Sequence, residues 1–320
     1  MTNRRQFIRN ASLMAATGVW AANSNLSAAP LSLSNINAAK NFGLQIYSLT
    51  VNRDDREFSD NVPAGLKKVA QMGYSSIELA GYNDGKVGSA TMSEFKKYAD
   101  DAGLKILSTH VNPPLRGYSK ENIEQAKEFW KKATGDHAAI GCKYIIQPGQ
   151  PQTRSTEEVA YTGEAFNEFG KIAKAAGLIF AFHNHDGEFL RVVPGGTEAL
   201  PRARGFGRMP EGAKMIYDGM LEATDPSLVQ FEMDVYWTVM GGQDPVAYMK
   251  KYANRIRVLH IKDIAVLGES GMMNFQKIFE TAYSNGISEF FVELENYPGG
   301  KQFEGVKGCA DYLNNATFVK

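Results

Sequence analysis

At 320 residues the chain has room for two average domains or one large barrel. An apolar content of 43%, with no segment of disordered composition, is that of a globular protein with a sizeable core. Thirty-five basic residues against thirty-five acidic ones argue against a nucleic-acid partner and leave a neutral or mildly polar small molecule as the easier ligand.

The first thirty residues read as an export signal. "TNRRQFIRN" carries the paired Arg4 and Arg5, an uncharged and mildly apolar run follows, and small residues close it near Ser27, Ala28 and Ala29. The paired arginines resemble a Tat signal, the route that exports folded proteins, and favour it over an ordinary Sec signal. The run is too short and too rich in Ala, Ser and Asn for a membrane anchor. The expectation is a periplasmic protein with no membrane span, whose mature net charge is −3 once Arg4, Arg5 and Arg9 are removed. Cys142 and Cys309 remain, read as separate buried thiols.

From Phe42 onward one rhythm repeats. Apolar, β-rich runs occur at "FGLQIYSL", "SSIELAG", "LKILSTHV", "KYIIQPG", "LIFAFHNH", "VQFEMDVYW", "IRVLHIKD" and "FFVELENY". Between them lie segments of helical spacing, among them "NVPAGLKKVAQMG", "TMSEFKKYADDAG", "STEEVAYTGEAFNEFGKIAKAAG" and "FQKIFETAYSNG". Gly73, Gly103, Gly141, Gly177 and Gly286 mark helix ends just before the next strand. Eight strands alternating with about eight helices predict a single-domain α/β fold, a (β/α)8 TIM barrel over residues 41–320. A doubly wound sheet would need a glycine-rich turn after the first strand, and "YSLTVNRDD" supplies none. Residues 191–212, with three prolines and five glycines, interrupt the rhythm after strand five. They are expected to form a lid, an oligomer contact or a plain surface insertion.

Barrel enzymes keep their chemistry at the C-terminal ends of strands. Those ends carry Gln45, Glu78, His110, Gln147, His183 with His185, Asp234 with Trp237, His260 with Lys262 and Asp263, and Glu293 with Glu295. Four of the five histidines are among them, and only His137 falls inside a helix-like stretch. Imidazole and carboxylate converging on a barrel mouth make a mixed nitrogen and oxygen site suited to Mn²⁺, Co²⁺, Mg²⁺ or Zn²⁺. His183 and His185, two apart, face the same way on a strand, and Asn184 faces the helix layer.

These motifs resemble the xylose isomerase-like TIM-barrel superfamily of sugar isomerases and epimerases, which includes tagatose 3-epimerase, inosose dehydratase and endonuclease IV. The resemblance spans the mature chain and rests on "GYSSIEL", "GCKYIIQPG", "FHNHDGEF", "MDVYW", "LHIKD" and "FFVELENY" in order. It implies metal ligands at Asp234, His260 and Glu293, with His183 where the family usually has glutamate. That departure keeps a ligand, removes a negative charge and weakens a plain two-carboxylate epimerase reading.

The expected activity is removal of a proton alpha to a sugar carbonyl through a metal-stabilised enolate, ending in isomerisation or epimerisation. The alternative is β-elimination from a keto-sugar, as in a lyase or dehydratase. His110, His185 and Glu293 are the acid and base candidates. Glu78, Gln147, Trp237 and Lys262 are the candidate substrate binders, with Lys262 facing an anionic oxygen or Asp263. A sugar without phosphate is expected, since no strand-end loop offers a phosphate cradle. A nuclease is disfavoured by the charge balance and by Trp237, which stands where a further zinc-binding histidine is common; a metal-free sugar-binding barrel is the remaining alternative.

Overall fold

The first predicted strand is cut short in the structure. In the computed structural model, which describes residues 40–149, 151–200 and 209–320, β1 covers only Gly43–Gln45 and a 3₁₀ turn, Ile46–Leu49, takes over. The Gln45 side chain causes the change, because its Oε1 accepts the Tyr47 N–H at 3.0 Å and pulls the backbone round. The later strands are β2 (Ser76–Leu79), β3 (Lys105–Thr109), β4 (Tyr144–Gln147), β5 (Ile179–His183), β6 (Val229–Asp234), β7 (Ile256–Ile261) and β8 (Glu289–Val292). They pair in the order β3-β2-β1-β8-β7-β6-β5-β4, every pair parallel.

Closure comes between β3 and β4, through a parallel bridge of His110 with Ile146 and the bond from Val111 N to Ile146 O at 2.8 Å. The result is the expected (β/α)8 barrel in one domain. Alternation along the strands sorts the two faces. On β5, Ala181 and His183 turn into the barrel, whereas Phe180 and Phe182 join the core beneath the helices. Tyr144, Ile146, Ala181, Val258 and Phe291 plug the interior. Gly43 admits the plug, since a Cβ there would stand 2.6 Å from the Phe291 ring.

The outer layer contains α1 (Val62–Gln71), α2 (Met92–Asp101), α3 (Ile123–Ala139), α4 (Thr156–Ala175), α5 (Ile216–Ala223), α6 (Val235–Met240), α7 (Pro245–Lys251), α8 (Phe275–Ser284) and α9 (Gln302–Asn315). Their starts follow from capping chemistry: Thr91 and Glu94 form a reciprocal capping box on α2, and Ser155 caps α4. The five helix-end glycines all have positive φ, from 73° to 101°, which favours glycine.

Two features depart from the simple alternation. Residues after β2 form a small antiparallel sheet of Tyr82–Asn83, Lys86–Val87 and Ala90–Thr91. The layer after β6 is split into α6 and α7 around Gly241 and Gly242. The 191–212 insertion is closed at its base by antiparallel pairing of Arg191–Val192 with Lys214–Met215, and its residues 201–208 lie outside those described. The expected export signal, residues 1–30, also lies outside them. Cys142 and Cys309 are buried and unbonded to each other. Among the described residues no helix is long and apolar enough to cross a membrane.

Candidate active site

The pleat of β6 sets the site in two tiers. Glu232 and Asp234, two apart, both turn into the barrel, Glu232 one step deeper. Glu232 is the register partner of His183 on β5, and Asp234 is that of His260 on β7. Glu293 follows the end of β8, beside His260.

The outer tier is His183, Asp234, His260 and Glu293, all buried, each bringing one ligand atom within 4.8 Å of the others. Asp234 Oδ1 accepts the Trp237 N–H at 2.8 Å and so caps α6, while Oδ2 has no partner. His260 Nδ1 lies 3.4 Å from Glu293 Oε2 and also lacks a hydrogen-bond partner. Buried polar atoms are otherwise nearly always satisfied. Two imidazoles, two carboxylates and two unsatisfied atoms facing one point fit a divalent cation.

The inner tier is a network of hydrogen bonds. Glu78 Oε1 accepts from His260 Nε2 at 2.6 Å, from Gln45 Nε2 at 2.6 Å, and lies 3.0 Å from His110 Nε2. Glu232 Oε2 accepts from His110 Nε2 at 2.7 Å and His183 Nδ1 at 3.0 Å, and stands 3.3 Å from His260 Nε2. Charge divides unevenly here. Burial acts to raise Glu78, but the His110 and His260 imidazoles hold it well below the usual carboxylate range. Burial and the Glu78 charge push Glu232 up to about 7. Burial acts to lower His110, yet the two carboxylates bring it up to about 9. Asp234 is pushed up to about 7 by burial, and burial brings His185 down to about 4.

Above these tiers opens a cavity of about 680 Å³. His110, His183, His185, Glu293 and Glu295 form its polar side, and Ile46, Tyr47, Phe58, Val62, Val87 and Phe95 its apolar side. Lys262 is buried behind Glu293, 2.9 Å from its Oε2 and 2.7 Å from Glu295 Oε1, with the Trp237 ring centroid 4.9 Å away. Burial acts to raise Glu293, but the Lys262 ammonium overrides that and keeps the carboxyl well below its ordinary range.

Residues 66–312 match the family model described as xylose isomerase-like TIM barrel. The chain belongs to the xylose isomerase-like TIM barrel family. Inosose dehydratase of Mesomycoplasma hyopneumoniae (strain 7448) is 26% identical over 291 residues, covering 78% of this chain and 87% of that protein. A crystal structure of a sugar phosphate isomerase/epimerase from Parabacteroides distasonis ATCC 8503 is 49% identical, with a TM-score of 0.79, covering 88% of this chain and 100% of that one. A second from the same organism is 43% identical, with a TM-score of 0.81, covering 90% and 98%.

Within this xylose isomerase-like barrel, the four residues expected to bind metal come together, and His110 and His185 both reach the cavity. The four expected substrate binders, Glu78, Gln147, Trp237 and Lys262, do not line it. Glu78 is fully enclosed in the inner tier, its Oε1 accepting from His260 and Gln45. Gln147 lies in a separate depression with Arg116, its carbonyl accepting from Tyr118 and its amide donating to Gly149 O. Trp237 stands behind the cavity as a platform for Lys262. Lys262 holds Glu293 and Glu295 rather than Asp263, whose oxygens accept from Ile264 N, Gly268 N and Ser270. Asn184 is buried and accepts from Asp234 N at 3.2 Å.

Sequence reasoning missed Glu232 and Glu188. Glu232 was legible as an acidic residue on the same strand face as Asp234 inside an apolar run. Glu188 is buried in the turn after β5, where it accepts the His185 backbone N–H at 2.8 Å and is pushed up to about 7 by burial.

Proposed function

We propose that the protein is a metal-dependent enzyme that removes the proton alpha to a sugar carbonyl, in the manner of an isomerase or epimerase. The observation that carries this reading is the pair of unpartnered buried atoms, Asp234 Oδ2 and His260 Nδ1, beside His183 and Glu293 at the polar end of the cavity. A divalent cation bound by these four residues, Mn²⁺, Co²⁺, Mg²⁺ or Zn²⁺, supplies positive charge that polarises the carbonyl.

His185 is the base. It lines the cavity outside the four-residue set, and burial keeps its ring neutral at neutral pH, so a nitrogen lone pair is available. His110 faces the same space and carries the proton that Glu78 and Glu232 hold on it, which suits it to return a proton to the substrate. Glu293 stays ionised through Lys262. The described lining has no Lys or Arg, and its only carboxylates are Glu293 and Glu295. A neutral sugar without phosphate therefore fits it best. Residues 1–30 support export of the protein to the periplasm, where such a sugar would be met.

A second reading, β-elimination from a keto-sugar, draws on His185 after β5 and His110 after β3. His185 takes the alpha proton, the carbon–oxygen bond at the β-carbon breaks, and the departing oxygen keeps the electron pair and takes a proton from His110. An enone and water, or an alcohol from a glycoside, are the products. Similarity to inosose dehydratase supports this outcome.

Purified protein with Mn²⁺ and a 3-keto-glucoside in deuterated water separates the two. Deuterium at C2 or C3 without released aglycone supports isomerase or epimerase chemistry, and released aglycone supports elimination. Neither signal, in protein that holds no metal, would reject both.

A further inference from the structure

The two imidazoles of the outer tier are held from behind. His183 gives its Nδ1–H to Glu232 Oε2 at 3.0 Å, and His260 gives its Nε2–H to Glu78 Oε1 at 2.6 Å. Each ring has only two nitrogens, so the bond behind decides which one is left bare in front. For His260 the bare nitrogen is Nδ1, the atom without a partner beside Glu293. For His183 the same logic leaves Nε2.

The inner tier could itself be taken for a metal site, because His110, His183, Glu232 and His260 also bring ligand atoms within 4.8 Å of one another. Its spacings argue otherwise. Two ligands of one tetrahedral zinc stand roughly 3.4 Å apart, given bond lengths of about 2.1 Å. The His260–Glu78 and His110–Glu232 separations of 2.6 and 2.7 Å are those of hydrogen bonds. Glu78 Oε1 and Glu232 Oε2 are therefore taken by imidazole N–H donors, whereas Asp234 Oδ2 and His260 Nδ1 of the outer tier have no partner.

The bonds behind the rings add a second reason for the inner tier. A carboxylate hydrogen-bonded to the rear nitrogen of an imidazole makes the ring a stronger ligand and brings negative charge close to the ion.

We infer that Glu232 is the positioning residue for metal binding at His183: by accepting the Nδ1–H at 3.0 Å it fixes the ring with Nε2 forward. This rests on the outer tier being the metal site. The register makes the pairing local to these two strands, since Glu232 and His183 are direct partners across β5 and β6.

The test is zinc affinity, measured by chelator competition on the full chain. Glu232→Gln is expected to lose ten- to a hundredfold in affinity, the usual scale for such a partner. In a His183→Glu background the same substitution should cost nothing, because there is no imidazole left to hold, and that non-additivity is the signature. Equal losses in both backgrounds would mean a merely structural role and would overturn the inference. So would wild-type affinity in Glu232→Gln when Asp234→Asn has lost zinc. Wild-type affinity in both Glu232→Gln and Asp234→Asn would instead reject the metal site on which the inference rests. Should the Glu232 variant not fold, nitrogen-15 histidine spectra of the unsubstituted zinc-loaded protein decide. Zinc on His183 Nε2 with a proton on Nδ1 is expected, and zinc on Nδ1 overturns the inference.

Discussion

Asp234 and His260 are register partners on neighbouring strands, and each leaves one buried atom, Oδ2 and Nδ1, without a partner. An unsatisfied buried group costs roughly 1–3 kcal/mol. Two such costs on adjacent strands, facing the same four-residue set, are what a binding site looks like before its ligand is added.

Asp234→Asn tests the site with little disturbance to the fold. Asparagine still accepts the Trp237 N–H and caps α6, so stability should fall by less than about 1 kcal/mol. Elemental analysis after purification should find the metal lost, with activity down by at least about a hundredfold.

His185→Gln should separate proton transfer from metal binding. The residue lines the cavity but does not belong to the four-residue set. Metal content should match the wild type while kcat falls by about 10²- to 10⁴-fold. Loss of metal together with activity would remove His185 from the role of base.

Lys262→Met should be costly to the fold. The ammonium lies between Glu293 and Glu295 with 2% of its surface exposed, so its loss strands a buried carboxylate. Breaking such a pair costs about 3–5 kcal/mol, readable as a lower urea midpoint. An unchanged midpoint would mean that water or another cation replaces the lysine.

His137 gives a pH signature away from the site. Its Nδ1–H donates to Ala133 O at 2.7 Å, its Nε2 lies 3.1 Å from Thr109 Oγ1, and burial brings its pKa from 6.5 down to about 4. The unfolded chain therefore binds this proton more readily than the folded one. The contribution to stability is complete above pH 6.5, falls as pH drops below that value, and stops falling below about 4. Over that window the wild type should lose on the order of 3 kcal/mol that His137→Gln does not lose, as urea unfolding at several pH values would show.

Much of the fold was legible because barrel strands keep the period of two and helix-end glycines punctuate them, as at Gly177 before β5. The candidates for the outer tier were legible for a related reason, since polar side chains at strand ends face the barrel mouth, and the family resemblance singled out four of them. What the pattern could not show was depth. Glu78 and Glu232 look like any other acidic residues of their strands, yet both sit beneath the outer tier, where they meet imidazoles. Partner choice was hidden too, since Lys262 and Asp263 are neighbours in sequence but serve opposite sides of their strand end. The small sheet after β2 escaped notice because two-residue strands are too short to display a period.

A continuous chain of contacts joins two of the expected ligands without any ion. Asp234 holds the backbone of Trp237, the indole ring carries the Lys262 ammonium, and that ammonium grips Glu293. The spacing between the two carboxylates is thereby set in advance by a helix cap, an aromatic face and a buried cation. An incoming metal would find its ligands already immobilised, so little conformational entropy remains to be lost on binding. Metal-free and metal-loaded forms should then differ by less at this corner of the barrel than the charge of the ion alone would suggest.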